Sequence, residues 1–160
     1  MSAGVDISQG DLADLPEVMA VMESAFEPCF GEAWTASQCA GLLPLSGVWL
    51  TVARRAGEAV GFSLSRIVAD EAELLLLAVA PAARRSGIGK SLVEEFQRGA
   101  LSRGAMRLHL EVRDGNDAVN LYANSGFTMT GRRLRYYKGA NGDLYDALSL
   151  SRSARDHREP

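Results

Sequence analysis

Two arginines, two serines, two glycines and a lysine stand in one run, RRSGIGKS, from Arg84 to Ser91. Basic side chains interleaved with glycines suit a phosphate-binding loop, because they combine positive charge with backbone that can approach an oxyanion. The tail Gly89-Lys90-Ser91 reads like the end of a nucleotide-binding P-loop. That motif needs a glycine five positions before its last glycine, and here the position is Arg84. Arginine is a poor substitute where the backbone must turn with positive φ. No clear Mg²⁺-binding aspartate accompanies the run. A nucleotide hydrolase is therefore disfavoured, and two readings remain: an anion site of another kind, or a helix start with exposed basic residues.

The surrounding elements decide between them. Residues 72 to 80, AELLLLAVA, are apolar on both faces, as a central strand buried on both sides is. Pro81 stops this strand, a loop over 82 to 86 follows, and a helix is predicted from Gly87 to about Arg103. Its buried face is Leu92, Val93, Phe96 and Ala100, and Gly104 ends it. A strand, a proline, an arginine- and glycine-bearing loop and then a helix make an anion site. The first-turn N–H groups have no helical partner and the helix dipole adds positive potential. Gly87 and Gly89 allow close approach, and Arg84, Arg85 and Lys90 add charge.

Upstream, residues 11 to 26 place Leu12, Leu15, Val18, Met19, Met22 and Phe26 on one helical face, with Asp11 as N-cap. A shorter helix is predicted over 35 to 43 with Thr35 as its cap. Strands follow at 48 to 54 and 59 to 68, joined by a turn at Ala56-Gly57-Glu58. Downstream come a strand at 106 to 112, a short helix at 117 to 124 with Ala118, Leu121 and Tyr122 inward, and two closing strands, 127 to 137 and 144 to 150. The last ten residues, 151 to 160, are polar and expected to be a disordered tail. The fold class is α/β, a mixed sheet in one domain over residues 5 to 150.

Composition fits this. The chain has 160 residues, 47% hydrophobic and 23% charged, values of a soluble globular domain. A net charge of −3 argues against general nucleic-acid affinity. The longest apolar run is about nine residues, Leu74 to Ala82, too short to span a bilayer. The N-terminus lacks the basic-then-apolar order of a secretory signal, so a cytoplasmic location is expected. Cys29 and Cys39 form neither a zinc signature nor a disulfide framework, and no metal site is expected. Neither cysteine has a histidine or a strongly positive setting beside it in sequence, so both are expected to be inert. His109, inside a strand, is read as structural.

Arg84-x-x-Gly87-x-Gly89, following the strand that ends Leu77-Ala78-Val79-Ala80-Pro81, resembles the acetyl-CoA loop of the GNAT N-acetyltransferases. The segment LEVRDGNDAVNLYANSGF, 110 to 127, is similar to the family's LEVR, LY and GF elements. The closing stretch GRRLRYYKGANGDLYDALSL, 131 to 150, looks like the RimI-like branch, which acetylates the N-terminal amine of a small-subunit ribosomal protein. Two departures stand out. Asn116 to Tyr122 is six steps where the branch usually has seven, and Lys138 stands where proline often follows the tyrosine pair.

The resemblance implies a single-domain GNAT fold, a mostly antiparallel sheet of six to seven strands flanked by about four helices, with acetyl-CoA as co-substrate. It makes Glu111 the general base, acting directly or through water, and Tyr122 the acid that protonates the departing thiolate. The residue-level alternatives are an edge carboxylate paired with Arg113 or Arg107, and a core tyrosine. Leu77, Ala78 and Val79 would hold the pantetheine arm and thioester carbonyl through their backbone. Arg84, Arg85, Ser86, Gly87, Ile88, Gly89 and Lys90 would hold the pyrophosphate, with Asn116 also toward the cofactor. Tyr136, Tyr137, Glu32 and Trp34 would bind the acceptor. The implied reaction is acetyl transfer to a protein N-terminus, alanine if the RimI likeness holds fully. The alternatives are a small-molecule amine or a lysine as acceptor, and a CoA-binding module without catalysis.

Overall fold

The computed structural model describes residues 4–155. It contains β1 (Val5–Gly10), α1 (Leu15–Ala25), α2 (Ala36–Leu42), β2 (Val48–Arg55), β3 (Glu58–Val68), β4 (Glu71–Val79), α3 (Ile88–Ser102), β5 (Arg107–Arg113), α4 (Ala118–Asn124), β6 (Thr128–Lys138) and β7 (Leu144–Ser153). The seven strands form one sheet in the order β1-β2-β3-β4-β5-β7-β6. Every pairing is antiparallel except β4 with β5, whose parallel alignment requires the crossover through α3.

The two faces bury different helices. Met22 of α1 packs with Leu50, Val52, Phe62 and Leu64, and Phe96 of α3 packs with Trp49, Leu74, Leu108 and Leu110. β4 changes allegiance midway. Ser65 pairs with Leu74 and Leu64 with Leu76, so Leu75 is an extra residue. Before this bulge Ala72 and Leu74 join the cluster around Phe96, and after it Leu76 and Ala78 join the cluster around Met22. One inserted residue inverts an alternation of period two.

Several predicted boundaries shift. Asp11 caps a 3-10 turn over Leu12–Asp14 through a reciprocal pair with Asp14, and α1 starts at Leu15. Leu12 is 48% exposed rather than on the buried face, and Val21 takes that place. Thr35 caps α2 as expected, in a capping box with Gln38. β1 was not anticipated: only Val5 and Ile7 of VDISQG are apolar, and as an edge strand it pairs with β2 alone. The expected disordered tail is corrected at its start. β7 runs on to Ser153, Ala154 is buried, and the Ala154 N–H donates to Met106 O at 3.0 Å. Residues 156–160 lie outside the described residues. Among the described residues no helix is long and apolar enough to cross a membrane.

Candidate active site

The site begins where a sheet comes apart. Parallel pairing of β4 and β5 runs from Glu71–Arg107 to Leu74–Leu110 and stops. Past that point β4 continues against β3 as far as Val79, while β5 continues against β7 as far as Arg113. The β5-facing edge of β4 over 75–79 therefore has no strand partner, and a slot opens through the sheet.

On one side of the slot lies a cleft of about 740 Å³, lined by Leu77, Ala78, Val79, Arg85, Gly89 and Leu121 among others. Arg85 and Gly87 adopt left-handed backbone, φ 64° and 84°. This leads the chain into α3, whose cap has no side-chain hydrogen bond and whose first turn holds no acidic residue. Its leading N–H groups are free for an anion. A Cβ at Gly89 would meet Leu121 Cδ2 at 3.3 Å, so glycine there keeps α3 and α4 close without filling the cleft.

The loop's side chains divide their duties in a way the sequence does not reveal. Arg84 lines the cleft with two of its nitrogens already engaged: its Nε donates to Val79 O and its Nη2 to Ala25 O, each at 3.0 Å, tying the end of β4 to the end of α1. Ser86 Oγ donates to Ala83 O at 2.6 Å and accepts from Arg55 Nη2 at 3.2 Å. Arg55, at the end of β2, was not singled out in the sequence. The Ile88 side chain is buried in the core, so its N–H is what it offers a ligand. Lys90 lines a different depression, beside the ends of α4 and β7. Arg85 is the basic side chain of the run that is exposed on the cleft wall and makes no described bond within the loop.

On the other side lies a narrower pocket of about 120 Å³, lined by Glu111, Tyr122, Tyr136, Tyr137, Trp34 and Glu73 among others. Cleft and pocket meet at Leu77, Asn116 and Ala118, and Phe26 and Glu32 line both. The structure thus brings Glu111, Tyr122, Tyr136, Tyr137, Glu32 and Trp34 together. The Glu111 carboxylate is ion-paired to Arg133, not to Arg113 or Arg107, and Oε2 also accepts from Ser149 Oγ at 3.2 Å. Tyr122 is buried, and burial first and the Glu32 charge second push its phenol well above the usual range, so it stays protonated. Tyr137 is raised for the same two leading reasons, and its hydroxyl donates to Glu111 O at 3.4 Å. The exposed Tyr136 ring stands edge-on to Tyr137 at 5.0 Å.

Asn116 faces inward. Its Oδ1 accepts from Ala118 N at 2.8 Å and its Nδ2 donates to Glu32 Oε2 at 2.7 Å. Glu32 also lies 3.3 Å from Arg113 Nε, an ion-pair distance without the angle of a directed hydrogen bond. Cys29 and Cys39 are free thiols, and burial pushes the Cys39 thiol up. His109 sits 3.8 Å from Glu71.

Comparison with known proteins sharpens this. The family described as acetyltransferase (GNAT) matches residues 15–127. The ribosomal protein bS18-alanine N-acetyltransferase of Escherichia coli K12 is 37% identical over 87 residues, covering 54% of this chain and 59% of that protein. Its counterpart in Haemophilus influenzae is 33% identical over 92 residues, covering 58% and 63%. In these alignments the chain spans less than two thirds of its relatives' length. In three dimensions the ribosomal-protein-S18-alanine N-acetyltransferase from Escherichia coli superposes with a TM-score of 0.83 at 27% identity, over 98% of this chain and 99% of that one. Ard1 from Thermoplasma volcanium gives 0.80 at 26%, over 96% and 100%. With the family matched across most of its length and the split sheet in place, the chain belongs to the GNAT acetyltransferase family.

Proposed function

We propose that this chain is an acetyl-CoA-dependent N-acetyltransferase acting on a protein N-terminal α-amine, with the N-terminal alanine of a small-subunit ribosomal protein as the finer reading. One observation carries it: the slot between β4 and β5 has a glycine-bearing basic loop and a helix N-terminus on one side and a pocket with Glu111 and Tyr122 on the other. The likeness to the bS18-alanine enzymes supports alanine as the acceptor residue.

Bound acetyl-CoA supplies an acetyl group activated as a thioester. The α3 N-terminus and Arg85 suit its pyrophosphate, and the unpaired edge of β4 suits an extended arm. A backbone N–H on that edge, aimed at a developing oxyanion, is worth about 3 kcal/mol. Glu111 takes the amine's proton, directly or through water. An α-amine titrates at about 7.7–8.0 and a lysine at about 10.4, so the α-amine needs less of that help at neutral pH. Tyr122, held protonated, gives its proton to the leaving sulfur.

The test is acetyl transfer from acetyl-CoA to two versions of one basic peptide, followed by mass spectrometry. Both begin with alanine and contain an internal lysine, and one is blocked at its N-terminus. Label on the free peptide alone is expected. Label on both would move the acceptor to lysine. No label, with acetyl-CoA bound, would overturn peptide acetylation.

A further inference from the structure

Glu32 occupies a place no motif explains. Its side chain is 9% exposed, and it lines both the cleft and the pocket. The turn that carries it is pinned from outside onto the β6–β7 connection. A Cβ at Gly31 would fall 2.0 Å from Lys138 O, and one at Gly139 would fall 1.8 Å from Cys29 O, so backbone lies directly on backbone. Ala140 N donates to Pro28 O at 2.9 Å, and Phe30 meets Tyr145 edge-on at 5.3 Å. From inside, the Glu32 carboxylate holds Asn116 on one oxygen and stands beside Arg113 on the other. The Arg113 guanidinium rests on the Phe30 ring, 3.6 Å from its centre.

Asn116 passes the constraint on. The same amide that donates to Glu32 accepts the N–H of Ala118, the first residue of α4. α4 has seven residues and carries Tyr122 one turn along. A helix this short has little stability of its own, and its placement depends on what holds its end.

We propose that Glu32 is a positioning residue for Tyr122. Its carboxylate fixes Asn116, Asn116 fixes the start of α4, and α4 sets where the phenol stands in the pocket. This rests on the reading of Tyr122 as proton donor. The Glu32 charge also bears on the Tyr122 and Tyr137 phenols, which places the carboxylate in electrostatic reach of both rings.

The experiment is a double-mutant cycle between Glu32→Ala and Tyr122→Phe, with acetyl-CoA and acceptor-peptide kinetics measured for each variant. Glu32→Ala should lower kcat by roughly 10- to 100-fold, the scale of a group misplaced by about an ångström. KM for the peptide should change little. In the Tyr122→Phe background the same substitution should cost almost nothing more, because the group it positions is gone. Glu32→Gln keeps an acceptor for Asn116 and should restore most of kcat. Losses that multiply across the cycle, or an effect confined to peptide KM, would overturn the proposal. If Tyr122→Phe alone leaves the rate unchanged, the donor assignment fails instead. The tie to α4 is then read without activity, by amide hydrogen exchange: Glu32→Ala should speed exchange in α4 and leave α3 as it was. Unchanged exchange in α4 would sink the tie itself. Should Glu32→Ala not fold, Asn116→Ala cuts the same link from its other end and enters the same cycle.

Discussion

Arg133 and Ser149 both bond Oε2 of the Glu111 carboxylate, the Tyr136 phenol also reaches that carboxylate, and Glu111 lines the pocket. Glu111→Gln preserves shape and the bond from Ser149. Arg133 is 62% exposed, so losing its partner returns it to water rather than stranding it. The expected result is unchanged acetyl-CoA affinity and a turnover lower by roughly 10²-fold or more. The loss should deepen toward lower pH, where more of the amine carries its proton. Normal turnover would remove Glu111 as the base. The phenols make a second prediction. Tyr122 and Tyr137 are raised in the folded state, while an unfolded tyrosine titrates near about 10. Unfolding therefore releases protons above that pH, and stability falls as pH rises from there toward the folded values. The melting temperature should drop above about pH 10, and less steeply in Tyr137→Phe; an identical slope would contradict it. That Glu111 and Tyr122 share one pocket was legible because each sits in a contiguous motif. The inward turn of Asn116 was not, since its partner Glu32 is 84 positions away. Arg84 was legible as a cation but not as a clamp on two carbonyls, because one of them belongs to α1.

At the scale of elements, the 28–31 turn and the β6–β7 connection are one unit. Gly31 and Gly57 both have positive φ, but a Cβ at Gly57 would meet nothing within 4 Å. Gly57→Ala carries only the left-handed strain, about 1–2 kcal/mol, or roughly 2–8 °C in melting temperature. Gly31→Ala adds a collision with Lys138 O. It should melt lower than Gly57→Ala and lose acceptor turnover while still binding acetyl-CoA; equal melting of the two would show that the contact does not form. Helices and interior strands read well from periodicity, because burial imposes it. β1 did not, because an edge strand with two apolar residues leaves a weak pattern. The bulge at Leu75 was invisible in a run of four leucines, where either parity looks the same.

Across the whole molecule, the close of β7 and the residue after it are part of the packing. Arg152 Nη1 donates to Ser125 O at 2.7 Å, and Ala154 joins the cluster around Phe96. A chain ended at Ser151 should melt several degrees below one ended at Arg155, measured by calorimetry; coincident transitions would mean the closing residues contribute nothing. The polar sequence hid this, because β7 continues through hydrogen bonds to β5 and β6 rather than through apolar side chains.

On the proposed function, the gap between β4 and β5 gives each of two reactants its own doorway. One is framed by the end of β4, the start of α3 and residues 25–30, the other by Trp34 and the tyrosine-bearing stretch of β6, with Phe26 and Glu32 on both. Few residues border both. On that function, a substitution at Trp34 or Tyr136 would then change the choice of acceptor and leave the hold on the acyl donor as it was.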